Sequence, residues 1–268
     1  MELDSLRHHA AVIAIGAVVG FVSGLLGKGG SAVTTPALRV LLDVPRFIAL
    51  ASPLPAALPT TLSASLAYRG RGLIDWTAFA ITCAVGLPAT ILGSFASPLV
   101  GGHTLMLLTA LFVTGLGISM FFHKEAAETR EDVQRTPARR ARLAVIGLLV
   151  GFLAGLLANT GGVLYAPLFI QWVRMETKRA LATSLVVASA LAIPGTIVHA
   201  ALGHVDWSLV VALAIGGIPS SYFGARVALR LRSDTLLRIY GVALTAFGLY
   251  DLLYTEREAI LRLFGHGS

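Results

Sequence analysis

The chain is poor in charge, in acids and in cysteine. Of its 268 residues 13% are charged, and Cys83 is the one cysteine. A lone thiol inside an apolar stretch excludes a disulfide framework and a cysteine-built metal site. No acid is evident at membrane depth, which counts against coupling to a cation. Cationic residues are missing from the same stretches: of the 21 Lys and Arg, all but Lys28 lie at or beyond the ends of apolar segments. The net charge of +7 therefore reflects membrane topology and not a nucleic-acid partner. The N-terminus carries acids and has no clear small-residue cleavage site, so it is expected to be retained.

What is abundant is apolar. Hydrophobic residues make up 56% of the chain and mean hydropathy is +0.79, more apolar surface than a soluble domain of this length buries. Crossing the hydrocarbon takes about 20 residues. Stretches of that order run over 47–68, 73–95, 104–122, 180–202, 207–229 and 236–254. Two further segments, 10–42 and 143–173, are apolar but broken by glycine.

Those two broken segments are near copies. Gly20 to Pro36 recurs as Gly151 to Pro167, and residues 16–122 lie over 147–253 without a gap. Asp75-Trp76 falls on Asp206-Trp207, Pro88 on Pro219 and Gly117 on Gly248. One register held across four apolar units predicts an internal repeat. The expected layout is a first repeat over 1–122, a charged cytoplasmic linker over 123–142, a second repeat over 143–254 and a tail over 255–268.

Loop charges bear on orientation. If both broken segments are re-entrant hairpins, fifteen Lys and Arg fall on the linker side and five on the other. If all eight apolar units cross, the split shows almost no bias, so the positive-inside rule favours the hairpins. Three crossings per half invert the second half. The fold class expected is all-α and integral to the membrane, with two inverted repeats, each a Gly-broken re-entrant or discontinuous helix plus three transmembrane helices. A full crossing by the first broken segment alone satisfies the charges equally well.

Non-helical backbone at membrane depth needs protein or a water-filled cavity around it. In inverted-repeat transporters such breaks meet near the midplane, with half-helix N-termini aimed at anionic groups. Gly29, Gly30 and Ser31 would start one half-helix, and Thr160, Gly161 and Gly162 the other. Lys28 would add one fixed positive charge, with Asn159 as its neutral counterpart. An ammonium at the bilayer centre costs about 3 kcal/mol, unless it sits at a hairpin tip and snorkels to water. Thr60 and Thr183 are further candidate substrate contacts, although Ser and Thr in membrane helices usually bond their own backbone.

Other features have structural explanations. The stripes Gly16-Gly20-Gly24 and Gly147-Gly151-Gly155 read as close helix packing. Asp75 and Asp206 read as helix caps beside interfacial tryptophans. His103, His199 and His204 sit at segment ends, where solvated loops account for them better than proton exchange does.

The doubled pattern Gly20-Phe21, Gly24-Leu25-Leu26-Gly27, Gly29-Gly30 and Pro36, with its second copy at Gly151-Phe152, Gly155-Leu156-Leu157, Gly161-Gly162 and Pro167, resembles the sulfite exporter TauE/SafE family of membrane permeases. The resemblance covers nearly the whole chain. It implies transport of small sulfur-containing anions such as sulfite, thiosulfate or organosulfonates, mostly as export, with the Gly-Gly stretches facing substrate. Lys28, and Ala158-Asn159-Thr160 in the second copy, depart from the family pattern and leave room for a larger carboxylated or sulfonated anion.

The sequence thus predicts a multi-pass inner-membrane permease working by alternating access, with no catalytic residues, no metal and no cofactor. Its partners would be a small anionic substrate and the lipid bilayer; homo-oligomers are left open. An intramembrane enzyme and a non-transporting membrane scaffold are the alternatives. The enzyme would need a metal cluster or an activated nucleophile.

Overall fold

The computed structural model describes residues 2–27, 31–97, 99, 102–122, 136–157 and 163–264. The first half holds α1 (Glu2–Leu25), α2 (Ser31–Leu42), α3 (Arg46–Ala51), α4 (Pro53–Tyr68), α5 (Trp76–Ala96) and α6 (Gly102–Phe122). The second holds α7 (Pro137–Leu156), α8 (Tyr165–Gln171), α9 (Thr177–Ala201), α10 (Trp207–Arg230) and α11 (Ser233–Phe264). Among the described residues no strand occurs. Four helical stretches there are long and apolar enough to cross a membrane: Phe47–Tyr68, Trp76–Ala96, Thr177–Ala201 and Trp207–Arg230. The expected crossings at 104–122 and 236–254 fall within α6 and α11. Large apolar side chains face outward, among them Leu92, Phe95, Ile197 and Phe223, as suits a lipid solvent.

Helix ends follow local chemistry. The Asp75 carboxylate accepts from the Ala78 amide, and that of Asp206 from the Ser208 and Leu209 amides, so both aspartates are N-caps. The adjacent Trp76 and Trp207 are exposed. α7 starts inside the stretch expected to be linker, because Thr136 caps it and Pro137 fits the first helical position. Residues 123–135 of that linker lie outside the described residues. α11 carries its helix past the expected start of the tail, to Phe264.

The sequence register reappears in the backbone. Asp43 and Arg174, 131 residues apart, both have left-handed φ, of 50° and 58°. Gly72 and Gly203, also 131 apart, have φ of 64° and 72°. The turn bonds Val44 N–H to Leu38 O and Met175 N–H to Phe169 O are the same bond in each half.

The halves pack by exchange. α1 lies on α10 and α7 on α5, and the glycine stripes are where the backbones touch. A Cβ added at Gly16, Gly20, Gly24, Gly147, Gly151 or Gly155 would come within 2.7 Å of a backbone oxygen on the facing helix. Gly16, Gly20 and Gly24 meet Leu213, Gly217 and Ser221, while Gly147, Gly151 and Gly155 meet Thr82, Gly86 and Thr90. Each pair therefore runs parallel. α4 runs with α10, since Ser52 meets Asp206 and Thr60 meets Gly217. α9 runs with α5, since Thr183 meets Asp75 and Leu191 meets Gly86. α4 runs against α9, with Leu54 on Gly195 and Thr61 on Ser189. α6 runs against α11, where Gly117 meets Thr245 and Gly248 meets Thr114.

Candidate functional site

Most of the expected anion contacts, Lys28, Gly29, Gly30, Asn159, Thr160, Gly161 and Gly162, lie outside the described residues. Ser31 begins α2, and its side chain also lies outside them. What can be described are the flanks. α1 ends at Leu25, and Gly27 turns the chain with φ 58°, a conformation that glycine adopts without strain. Its carbonyl accepts from the buried Ser184 hydroxyl of α9 at 3.2 Å. At the end of α7, the Gly155 carbonyl lies 3.3 Å from His199 Nε2, also on α9. Ser184 and His199 are about 22 Å apart at 1.5 Å per residue. The described flanks of the two breaks thus stand at different heights along α9.

Each broken segment returns to the end it came from. Arg142 near the start of α7 donates from Nη1 to the carbonyl of Trp172, just after α8. In the first half, Val12 of α1 shares a core cluster with Leu38 and Val44.

A narrow cavity of about 30 Å³ lies beside the first break, between α1, α2, α4 and α10, with room for about two waters. Its polar wall is Ser23, Thr34, Thr60 and Thr61, and Gly16, Gly20 and Gly217 leave it open. A Cβ at Gly217 would approach Thr60 Oγ1 to 2.9 Å. The Thr60 hydroxyl donates to Ala56 O at 2.7 Å, and its carbonyl accepts from Ser221 Oγ at 2.7 Å. The Thr61 hydroxyl bonds Ala57 O and shares a 2.6 Å hydrogen bond with Ser189 across the halves.

Thr183 is not brought to this cavity. It is fully buried at the end of α9 near Asp75, and its hydroxyl oxygen accepts the Asp75 amide at 3.0 Å. Ser52 does the same for the Asp206 amide.

In the second half the corresponding positions carry apolar or aromatic side chains. The positions 131 residues on from Ser23, Thr34, Thr60 and Thr61 are Ala154, Tyr165, Leu191 and Ala192, all buried. Among the described residues the enclosed hydroxyl of Tyr165 has no hydrogen-bond partner.

Two further groups escape a reading by sequence pattern. Asp75, buried, pairs with Arg139 Nη2 and lies 3.8 Å from Arg179 Nε, whereas Asp206 caps its helix at a half-buried position. His199 and His204 face each other Nδ1 to Nδ1 at 3.4 Å, and Phe47 stacks on His204 with ring centroids 4.8 Å apart. Among the described residues no three of His, Cys, Asp and Glu gather as metal ligands would.

The family model of the sulfite exporter TauE/SafE matches residues 12–250. A probable membrane transporter protein of Xylella fastidiosa (strain 9a5c) is 29% identical over 253 residues, covering 93% of this chain and 96% of the relative. The probable membrane transporter protein YunE of Bacillus subtilis is 26% identical, covering 88% of this chain and 94% of that protein. The probable membrane transporter protein MamO of Paramagnetospirillum magneticum is 23% identical; the match spans 88% of this chain and 42% of that longer protein. No solved structure matches the chain.

Proposed function

Because this chain belongs to the sulfite exporter TauE/SafE family of membrane transporters, we propose that it is a permease for a small sulfur-containing anion, exported across the inner membrane by alternating access. The observation that carries this reading is the hydroxyl-walled cavity beside the first break. A transport site has to offer polar groups at membrane depth while remaining reachable.

In this reading the two halves are inverted repeats. The support is directional: equivalent helices α4 and α9 run against each other, as do α6 and α11. A two-fold relation also accounts for the reciprocal pairing of α1 with α10 and of α7 with α5. The broken segments act as re-entrant hairpins, a role their return to the starting end favours. The linker then faces the cytoplasm.

Lys28, Gly29, Gly30 and Ser31 would supply positive potential to the anion, with Thr60 in the cavity wall. Asn159 to Gly162 would offer neutral donors at the other break. An anion passing between them would meet polar groups at two heights, and rocking of one repeat against the other would expose it to each side in turn.

The test is uptake of labelled sulfite, thiosulfate and sulfoacetate into proteoliposomes, comparing the wild type with Lys28→Gln. Saturable flux of one anion, lost in the variant, is the expected result. Flux that survives Lys28→Gln would remove Lys28 from the site, and absence of flux for all three anions would overturn the substrate class.

A further inference from the structure

The histidine pair at the end of α9 has a geometry that fixes its protons. His199 is buried at 3% exposure, and its Nε2 lies 3.3 Å from the Gly155 carbonyl. That carbonyl is in the last turn of α7, among those that lack an intrahelical partner. A carbonyl only accepts, so His199 carries its proton on Nε2 and presents a bare Nδ1. The facing nitrogen, His204 Nδ1, 3.4 Å away, must then be the donor, which leaves His204 Nε2 as the lone pair able to take a further proton. The backbone holds the pair together, since His204 N–H donates to the His199 carbonyl at 3.0 Å.

We infer that His199 and His204 form a one-proton site beside the second break, and that its occupancy is coupled to movement of the anion. The coupling rests on the permease reading; the proton site does not. Only one hydrogen fits between the two Nδ1 atoms, so a second added proton would set two N–H groups against each other and is excluded while the pair is intact. Half-buried His204 on the exposed Leu202–Gly203 turn gives protons a way in. Histidine is the side chain whose ordinary titration lies in the neutral range.

The surrounding elements bring few other charges. The last turns of α5 carry Thr90 and Ser94, and α7 carries no ionisable group in its last two turns. Asp206 at the start of α10 is engaged with the Ser208 and Leu209 amides. The turn into α3 carries Asp43 and Arg46, and the Arg46 side chain lies outside the described residues. The first half has nothing equivalent, because Tyr68 and Leu73 occupy the matching positions.

Two measurements test this on the full chain. In nanodiscs, histidine NMR from about pH 5 to 8 should show His199 and His204 shifting together in one step that takes up one proton, with the step absent in His204→Gln. Two independent titrations, or none in that range, would overturn the site. In proteoliposomes, an inward proton gradient should change wild-type flux of the transported anion by at least about fivefold. His204→Gln and His199→Gln should both lose that response, and a response retained in both would overturn the coupling. If the wild type carries none of the three anions at any pH, the permease reading fails, the coupling falls with it, and the NMR titration alone decides the proton site.

Discussion

The two halves share one backbone plan and fill it differently. At four matched positions the first half has Ser23, Thr34, Thr60 and Thr61 around a cavity, and the second has Ala154, Tyr165, Leu191 and Ala192, all buried. At the helix caps the imbalance takes another form: Asp75 is buried against two arginines, and Asp206 caps its helix at a half-buried position. The glycine contacts, by contrast, are the same on both sides. The backbone contacts between halves thus constrain both copies alike, while side chains directed into the interior have diverged. One copy lines its cavity with hydroxyls, and the other carries apolar and aromatic side chains at the same positions.

The comparison breaks hardest at the caps. Asp75→Ala removes a cap and leaves Arg139 buried without its carboxylate, a loss of about 3–5 kcal/mol for a broken buried pair. Asp206→Ala removes a cap at a half-buried position, where a lost cap costs about 1 kcal/mol. Equilibrium unfolding of both variants in the same micelles measures the gap. Equal losses would mean that the Arg139 pair adds nothing.

Next in size is the filled interior. Tyr165→Ala should cost about 3–5 kcal/mol, the range for removing a buried aromatic ring. Tyr165→Phe should be neutral or stabilising by about 1 kcal/mol, because the buried hydroxyl has no partner among the described residues. A destabilising Tyr165→Phe would show that this hydroxyl has a role that packing does not account for.

The close helix packing was legible in the sequence, because glycine stripes are local patterns. Gly16, Gly20 and Gly24 recur 131 residues on, and a stripe of that spacing has few uses in a membrane helix besides close packing. The pairing of α1 with α10 was not legible, since nothing in either segment names its partner. Arg139 was read as part of a solvated linker, although Thr136 and Pro137 form a helix start that could have extended α7 back to it. The histidine pair was hidden by its spacing: five residues on a continuous helix point to different faces. Only the turn at Gly203, with φ 72°, brings the rings together. The cavity depends on which hydroxyls face inward, which follows from helix pairing and not from composition.

The smallest stability effect is also the sharpest functional contrast. Thr60→Val keeps the volume and removes a hydroxyl that already bonds its own helix at Ala56 O, so its stability cost should stay near 1 kcal/mol or below. If the anion passes the first-half cavity, flux should fall about tenfold, equivalent to about 1.4 kcal/mol. The reciprocal change, Leu191→Thr, puts a hydroxyl into the second half and should cost about 2 kcal/mol of stability with no gain in flux, because Tyr165 and Ala192 at the other matched positions stay buried and supply no hydroxyl-lined cavity wall. Initial rates in proteoliposomes, normalised to folded protein, separate the two. A Thr60→Val variant with wild-type rates beside a Leu191→Thr variant with altered ones would reverse the assignment and place the path in the second half.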